Sequence, residues 1–274
     1  MNLAQAAAPS WREAFTPFGL FHLCVLVVGG VCMATPIFLG VRWRTKTHDP
    51  LAHHHDEPTN AYPSAAASCA SSRESKLRAW VGWSTLIAQA LMLIYYIRPS
   101  RFVLSESLPL HICDLAGWVG GAALVTQKHW LRTLCYYWGF GLCTQAFFTP
   151  IVTQGFGHIK FWLYWINHMQ IVGCAAYDLV VLRYRPMWRD CFYAAWQTFL
   201  YAIVLMVPFN WWLGTNYAYT GPSQPNTTTI LDALGSWPRR LLLIMPLAAL
   251  VLVIITLPWS LAGGLHARRG SRDA

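Results

Sequence analysis

Three ionisable groups lie within four residues in the stretch Leu108-Pro109-Leu110-His111-Ile112-Cys113-Asp114-Leu115-Ala116-Gly117-Trp118, which opens an apolar segment. Such groups are rare in membrane helices because each costs a few kcal/mol at bilayer depth unless a partner compensates it. At helical spacing His111 and Asp114 share a face and can pair there, whereas Cys113 points towards the side of Gly117 and Gly120. We therefore expect partners from other helices around this stretch, and close helix approach at these glycines.

The composition is typical of a protein embedded in a membrane. The chain has 274 residues, of which 55% are hydrophobic and only 11% are charged, whereas about a quarter of a soluble domain is charged. The 15 Trp and 12 Tyr residues suit side chains that settle at a membrane interface. The net charge of +9 comes from short loops and the C-terminal tail. No basic helix is interleaved with stacking aromatics, so the sequence excludes a nucleic-acid partner.

Seven apolar segments are long enough to cross a hydrocarbon core of about 30 Å. We therefore predict an all-α fold, a polytopic membrane bundle of seven transmembrane helices. A short head (1–19) precedes the first helix (20–41), and a polar loop (42–78) that is rich in Ala, Ser and Pro is expected to be disordered. A six-helix core (79–261) and a basic tail (262–274) follow. The core helices are predicted at 79–97, 108–126, 131–151, 161–182, 192–213 and 241–261.

The distribution of Lys and Arg predicts the orientation of the bundle. With seven spans, 14 basic residues fall on the side of the 42–78 loop and the C-terminal tail, and 6 fall on the other side, which together make the 20 of the chain. Because basic loops stay in the cytoplasm, we expect the N-terminus outside and the C-terminus in the cytoplasm. The cell membrane is the expected location.

This orientation places several polar side chains in one layer near the outer leaflet. At 1.5 Å per helical residue, Cys113 lies about 8 Å below the start of its span. The layer contains the residues that we predict to bind a substrate: His111, Asp114, Gln145, Asn167 and Asn216. In the inner half, Asp178 and Asp190 are close in sequence to several arginines and are interpreted as an interfacial charge cluster.

Cys113 is the candidate nucleophile among the eight cysteines. Buried membrane cysteines usually pack as small apolar side chains, but a neighbouring imidazole favours the reactive thiolate. His111 lies two residues away and points to another side, whereas His168 approaches from a different helix. The predicted catalytic pair is therefore Cys113 and His168.

No metal site and no cofactor is predicted. The run His53-His54-His55 lies in the polar loop, where such runs are usually incidental. None of the four lysines lies in the middle of a span, which excludes a retinal Schiff base. A haem between His22 and His168 is possible by depth alone, but nothing else in the sequence supports it.

Four stretches of the sequence, 108–115, 136–150, 166–172 and 213–219, follow one another in the order of a known family. By these stretches the sequence resembles the YwaF-like family of integral membrane proteins, over roughly 99–258. The resemblance implies seven helices. The eukaryotic relatives include a transmembrane phospholipid acyltransferase with a nucleophilic cysteine in a Leu-His-x-Cys-Asp motif and a helix-borne histidine, which implies these roles for Cys113 and His168. The long, histidine-rich first loop and the N-terminal head depart from the family.

Two classes of function follow from these observations. The first is a cysteine-dependent phospholipid acyltransferase or acyl hydrolase in the outer leaflet, with membrane lipids as partners and Gln145, Asn167 or Asn216 as oxyanion donors. The second is a lipid or small-molecule transporter or binding protein, in which the same groups form a structural network with bonds of about 0.6 kcal/mol each. A transporter needs polar residues along its whole pathway, and they become scarce below His168.

Overall fold

The structure is a computed structural model that describes residues 12, 14–45, 72–223 and 230–270. The described residues are mostly helical, and an isolated bridge joins Ala14 to Gln154. Most of the predicted disordered loop, including the run at 53–55, lies outside the described residues.

The α-helices, with the π-helices and the 3-10 turn that continue them, form seven consecutive segments within the described ranges. Two short 3-10 turns, Tyr217–Tyr219 and Ile230–Leu234, lie in the connection before the last helix. The first three helices are α1 (Leu20–Thr45), α2 (Ser72–Ile97) and α3 (Ile112–Thr126). Helix α4 (His129–Tyr136) continues as a π-helix (Tyr137–Cys143) and a 3-10 turn (Thr144–Phe147). Helix α5 is Ile159–Val180, and α6 (Trp188–Phe199) continues through a second π-helix (Leu200–Met206) into α7 (Val207–Leu213). Helix α8 is Leu241–Gly270.

These bounds differ from the predicted ones at several places. Helix α6 begins at Trp188 rather than at residue 192, and α8 continues to Gly270, so the described part of the predicted tail (262–274) is helical. Helix α1 extends to Thr45 and α2 begins at Ser72, so both ends of the predicted 42–78 loop are helical. Helix α3 begins at Ile112 rather than at residue 108, because residues 108–111 are not helical and His111 is the N-cap, with an extended backbone.

The protein is a multi-pass membrane protein. Among the described residues, four helical segments are long and apolar enough to cross a membrane: Leu20–Arg44, Ser72–Ile97, Trp188–Leu213 and Leu241–Ala262. Their large apolar side chains are exposed on the surface of the bundle, as at Val28, Leu91 and Leu242, where lipid would cover them. Seven spans and their orientation stay predictions.

Successive segments run in opposite directions, which gives the bundle two ends. At one end, α2 and α7 finish and α3, α5 and α8 begin. We call this end the site end. The other is the opposite end. At the site end, backbone bonds from Phe15 to Thr153 and from Gly157 to Arg12 join the N-terminal segment to the connection before α5.

Glycines let α2 and α3 come into backbone contact. A Cβ atom at Gly121 would lie 2.9 Å from the carbonyl oxygen of Gly82 and 2.8 Å from Leu86. A Cβ atom at Gly117 would lie 2.4 Å from the side chain of Gln89. The close helix approach that the sequence predicted at Gly117 is confirmed.

Charged side chains at the opposite end are bound across helices. Arg132 donates to both carboxylate oxygens of Asp178, at 2.9 and 3.1 Å. Asp190 accepts hydrogen bonds from Tyr184 at 3.0 Å and from the backbone of Met187 at 3.1 Å, and it pairs with His129 at 2.8 Å. These bonds link α4 to α5 and α6, and the sequence did not predict these partners.

The orientation can be tested with membrane-impermeant labelling of single cysteines in a cysteine-free background. We expect cysteines introduced in the 46–71 loop to be labelled only after the membrane is permeabilised. Labelling of this loop in intact cells would show that the orientation is the reverse of the predicted one. The predicted polar layer would then lie in the inner leaflet.

The helix contact can be tested by Gly121→Ala. A methyl group at this position overlaps the backbone of α2, and overpacking of this kind costs roughly 1–3 kcal/mol. The melting temperature in detergent should therefore fall. Gly30→Ala is the matched control, because no atom lies within 4 Å of a Cβ there. Equal melting of the two variants would contradict the contact.

Candidate functional site at the site end of the bundle

A cavity of about 570 Å³ lies at the site end. Its walls come from α2, α3, the helical segment after α4, α5, the connection after α7, and α8. Every residue that the sequence predicted for the site lines this cavity: Cys113, His168, His111, Asp114, Gln145, Asn167 and Asn216. The structure therefore brings the predicted residues together from four parts of the chain.

Cys113 lies in the first turn of α3, and Asp114 fixes that turn. The Asp114 carboxylate accepts a hydrogen bond of 3.1 Å from the backbone N–H of His111, which satisfies a donor that the helix start leaves without a helical partner. The predicted pairing of the His111 and Asp114 side chains is therefore wrong. The His111 ring packs instead against Tyr217 and Tyr219, with ring centroids 5.1 and 5.4 Å apart.

His168 is a buried imidazole with a fixed orientation. Its Nδ1 lies 2.8 Å from the carbonyl oxygen of Tyr164. Because a carbonyl only accepts hydrogen bonds, Nδ1 carries a proton, and in the neutral ring Nε2 keeps the lone pair. The imidazole can therefore accept a proton inside the cavity. No hydrogen bond joins it to Cys113 in the described structure, so the two side chains share the cavity without direct bonding.

Asn167, the neighbour of His168, is bound by a residue that the sequence analysis missed. Gln89 of α2 donates from Nε2 to the Asn167 Oδ1 at 2.9 Å, and both side chains are buried. The bond uses the Asn167 carbonyl, so its Nδ2 group is the part that can donate to a ligand.

The connection after α7 is built around the buried Asn210. Its Oδ1 accepts from the Thr215 hydroxyl and from the Tyr217 backbone, both at 2.8 Å, and its Nδ2 donates to the Tyr217 carbonyl at 2.8 Å. Gly214 ends α7 with a left-handed φ of 64°, a conformation that glycine adopts at no steric cost. Asn210 therefore holds the turn that carries Asn216.

Two strained residues bring Tyr219 to the cavity. Ala218 and Tyr219 have φ values of 53° and 59°, which are uncommon for residues with a Cβ and cluster at functional sites. Burial raises the pKa of the Tyr219 hydroxyl, so this group remains a protonated hydrogen-bond donor. Tyr219 lines the cavity, and sequence reasoning missed it.

The cavity is amphipathic. Its outer part is lined by Ser105, Glu106, Gln154 and Lys160, whereas α8 contributes an apolar wall that includes Ile244, Met245, Leu247, Ala248 and Val251. Pockets for small ligands have volumes of about 300–1,000 Å³, so the cavity is large enough for part of a lipid molecule. A polar end beside an apolar wall suits an amphiphilic ligand.

His22 does not belong to this site. Its Nδ1 accepts the backbone N–H of Phe18 at 3.0 Å, and its ring packs against Phe15 and Trp165 at centroid distances of 5.4 Å. His22 lies outside the cavity lining, so the arrangement does not support a haem between His22 and His168.

The chain belongs to the TMEM164 family, whose family model matches residues 15–256. No curated protein and no solved structure matches the chain. The matched range includes every residue of the cavity. Membership agrees with the multi-pass architecture described above.

The cap on α3 can be tested by Asp114→Ala. Loss of the acceptor leaves the His111 N–H without its partner, and loss of a cap costs roughly 1 kcal/mol. The melting temperature in detergent should fall. Asp114→Asn keeps an acceptor oxygen and should melt close to the parent protein. If both variants were equally destabilised, the stability would depend on the negative charge of Asp114 and not on its hydrogen bond to the His111 N–H.

Proposed function

We propose that the protein is a cysteine-dependent acyltransferase that acts on membrane phospholipids, with Cys113 as nucleophile and His168 as general base. One observation carries this proposal. This chemistry needs a thiol and an imidazole. Cys113 of α3 and His168 of α5 supply them, and both line one amphipathic cavity of about 570 Å³. The resemblance of 108–115 to the cysteine motif of a phospholipid acyltransferase adds support. The predicted orientation assigns the reaction to the outer leaflet of the cell membrane.

The first half of the reaction forms a thioester. His168 accepts the Cys113 proton on Nε2, and the thiolate attacks the carbonyl carbon of a phospholipid ester. The tetrahedral intermediate collapses, and the ester C–O bond breaks. The departing lysophospholipid alkoxide takes the proton from His168, which leaves an acyl group on the sulfur.

The second half transfers the acyl group. His168 accepts a proton from the hydroxyl group of an acceptor lipid, and the oxygen attacks the thioester carbon. The C–S bond breaks, and the Cys113 thiolate takes back the proton from His168. Water in place of the acceptor lipid gives a free fatty acid, so the same site supports hydrolysis.

Donors for the developing oxyanion are present on two sides of the cavity. The Nδ2 group of Asn167 is held by the bond from Gln89 to Oδ1, and the protonated hydroxyl of Tyr219 lies on the connection after α7. Donors that are oriented before the reaction stabilise an oxyanion most effectively. Asn167 and Tyr219 fit this requirement better than Gln145, which is exposed.

Transport is the second candidate, and one observation favours it. Buried polar side chains continue from the cavity towards the opposite end along α2 and α5. Thr85 lies 3.6 Å from the Cys174 sulfur, and Tyr177 donates to the buried Glu74 at 3.0 Å. The expectation that polar groups become scarce below His168 is therefore wrong. These groups bond to one another, so a transported molecule would have to break these bonds as it passed.

Acyl transfer can be measured in nanodiscs that contain a phospholipid with a labelled acyl chain and an unlabelled lysophospholipid. Cys113→Ser and His168→Ala should each lower the transfer rate by at least about 100-fold, since general base catalysis alone contributes 10²–10⁴-fold. The double variant should be no slower than the slower single variant, because the two groups act as one unit.

Cys135→Ser and Cys191→Ser are the controls for this experiment. Both cysteines are buried and lie outside the cavity lining, so both variants should keep the parent rate. Full activity of Cys113→Ser would rule out the enzyme. Label that crosses the membrane of proteoliposomes without acyl transfer would instead support the transporter.

A further inference from the structure

Three basic side chains line a recess beside the outer part of the cavity. The recess has a volume of about 340 Å³ and is open to the surface. Two of its residues, Gln154 and Lys160, also line the cavity. Its lining is Tyr95, Arg101, Gln154, His158, Ile159 and Lys160. Recess and cavity are therefore adjacent parts of one continuous surface.

Arg101 is held in position by Tyr95. Its guanidinium lies 4.8 Å from the centre of the Tyr95 ring, and its Nη1 donates to the Tyr95 hydroxyl at 2.8 Å. A guanidinium has five N–H donors in a planar fork that matches two oxygens of a phosphate. The contacts with Tyr95 orient this fork, and Arg101 lines the recess.

Helix stability does not explain the positions of His158 and Lys160. His158 is the N-cap of α5, with no side-chain capping bond, and Lys160 is in the first turn. A positive charge near a helix N-terminus is unfavourable because it opposes the helix dipole. Lys160 forms an ion pair with Glu106 at 2.8 Å, and both side chains are substantially exposed. Such pairs contribute little, and the ammonium keeps further N–H donors for a ligand.

We propose that Arg101, His158 and Lys160 bind the phosphate group of a glycerophospholipid whose acyl chain lies in the cavity. The identity of the ligand rests on the proposed function. The recess lies at the site end, where α2 finishes and α5 begins, and the ends of membrane-spanning helices are expected near the lipid headgroups. The apolar wall of α8 receives the acyl chain, and the phosphate contacts set how far the ester group enters towards Cys113.

Binding can be measured without catalysis in the Cys113→Ser background, by calorimetry in detergent. The probes are dihexanoylphosphatidylcholine, dihexanoylglycerol, which lacks the phosphate, and inorganic phosphate. Combined Arg101→Gln, His158→Gln and Lys160→Gln substitutions should weaken binding of the phospholipid by about tenfold or more, because charge-assisted bonds to phosphate are lost. Binding of dihexanoylglycerol should stay within about twofold of the parent by the same argument.

A matched control removes the same number of permanent charges elsewhere at the site end. Arg98→Gln with Arg239→Gln changes two exposed arginines that lie outside both linings, and phospholipid affinity should be unchanged. Equal losses in the control and in the recess variant would overturn the proposal in favour of general attraction. Inorganic phosphate that binds as tightly as the phospholipid would overturn the lipid assignment.

The outcomes separate this proposal from the proposed function. Unchanged phospholipid affinity in the recess variant overturns the phosphate site, whatever Cys113→Ser does to acyl transfer. A selective loss of phospholipid affinity supports the phosphate site even where Cys113→Ser retains activity, because the measurement involves no reaction.

Discussion

The hydrogen bond between Gln89 and Asn167 connects the helices on which the site depends. Gln89 comes from α2 and Asn167 from α5, and the amide of Gln89 lies where a Cβ at Gly117 of α3 would be, with 2.4 Å to its Cδ. Both amides are buried, and a buried polar group that loses its partner costs about 1–3 kcal/mol. The bond therefore fixes the relative positions of Cys113 on α3 and His168 on α5.

The connection after α7, which also lines the cavity, is held by several hydrogen bonds. Asn210 holds the turn after α7, and the buried Arg240 donates to the carbonyl of Gly221 and to Asp232. Tyr217 joins this connection to the segment before α3, since its hydroxyl accepts from the Leu108 backbone and donates to the Leu104 carbonyl. Because these bonds hold it from several sides, the connection can keep Tyr219 in a strained conformation that faces the cavity.

Much of the site followed from the sequence because ionisable and amide groups are unusual in apolar helices. Cys113, His168 and Asn167 stand out for this reason, and the alternation of helix direction places them at one level. Gln89 carries the same signal, an amide within an apolar segment, but its role depends on the space at Gly117, which only the packing reveals. Tyr219 carries no such signal, because its position results from two left-handed residues in a connection.

The local bonds of polar side chains were the least predictable feature. Asp114 and His111 have the spacing of a side-chain pair. The Asp114 carboxylate nevertheless binds the backbone N–H of His111, because the helix starts at Ile112 and His111 is its N-cap. Spacing fixes which side chains share a helix face only after the first helical residue is known. Helix boundaries depend on capping and tertiary contacts, so the sequence alone left this residue undetermined.

We propose that Cys113 forms a thioester with a lipid acyl chain. Intact-protein mass spectrometry after incubation of the purified protein with an ester phospholipid tests it most directly. We expect a mass increase of one acyl group that hydroxylamine removes and that peptide mapping assigns to Cys113. An unchanged mass, or an acyl group that maps only to other cysteines, would contradict the claim.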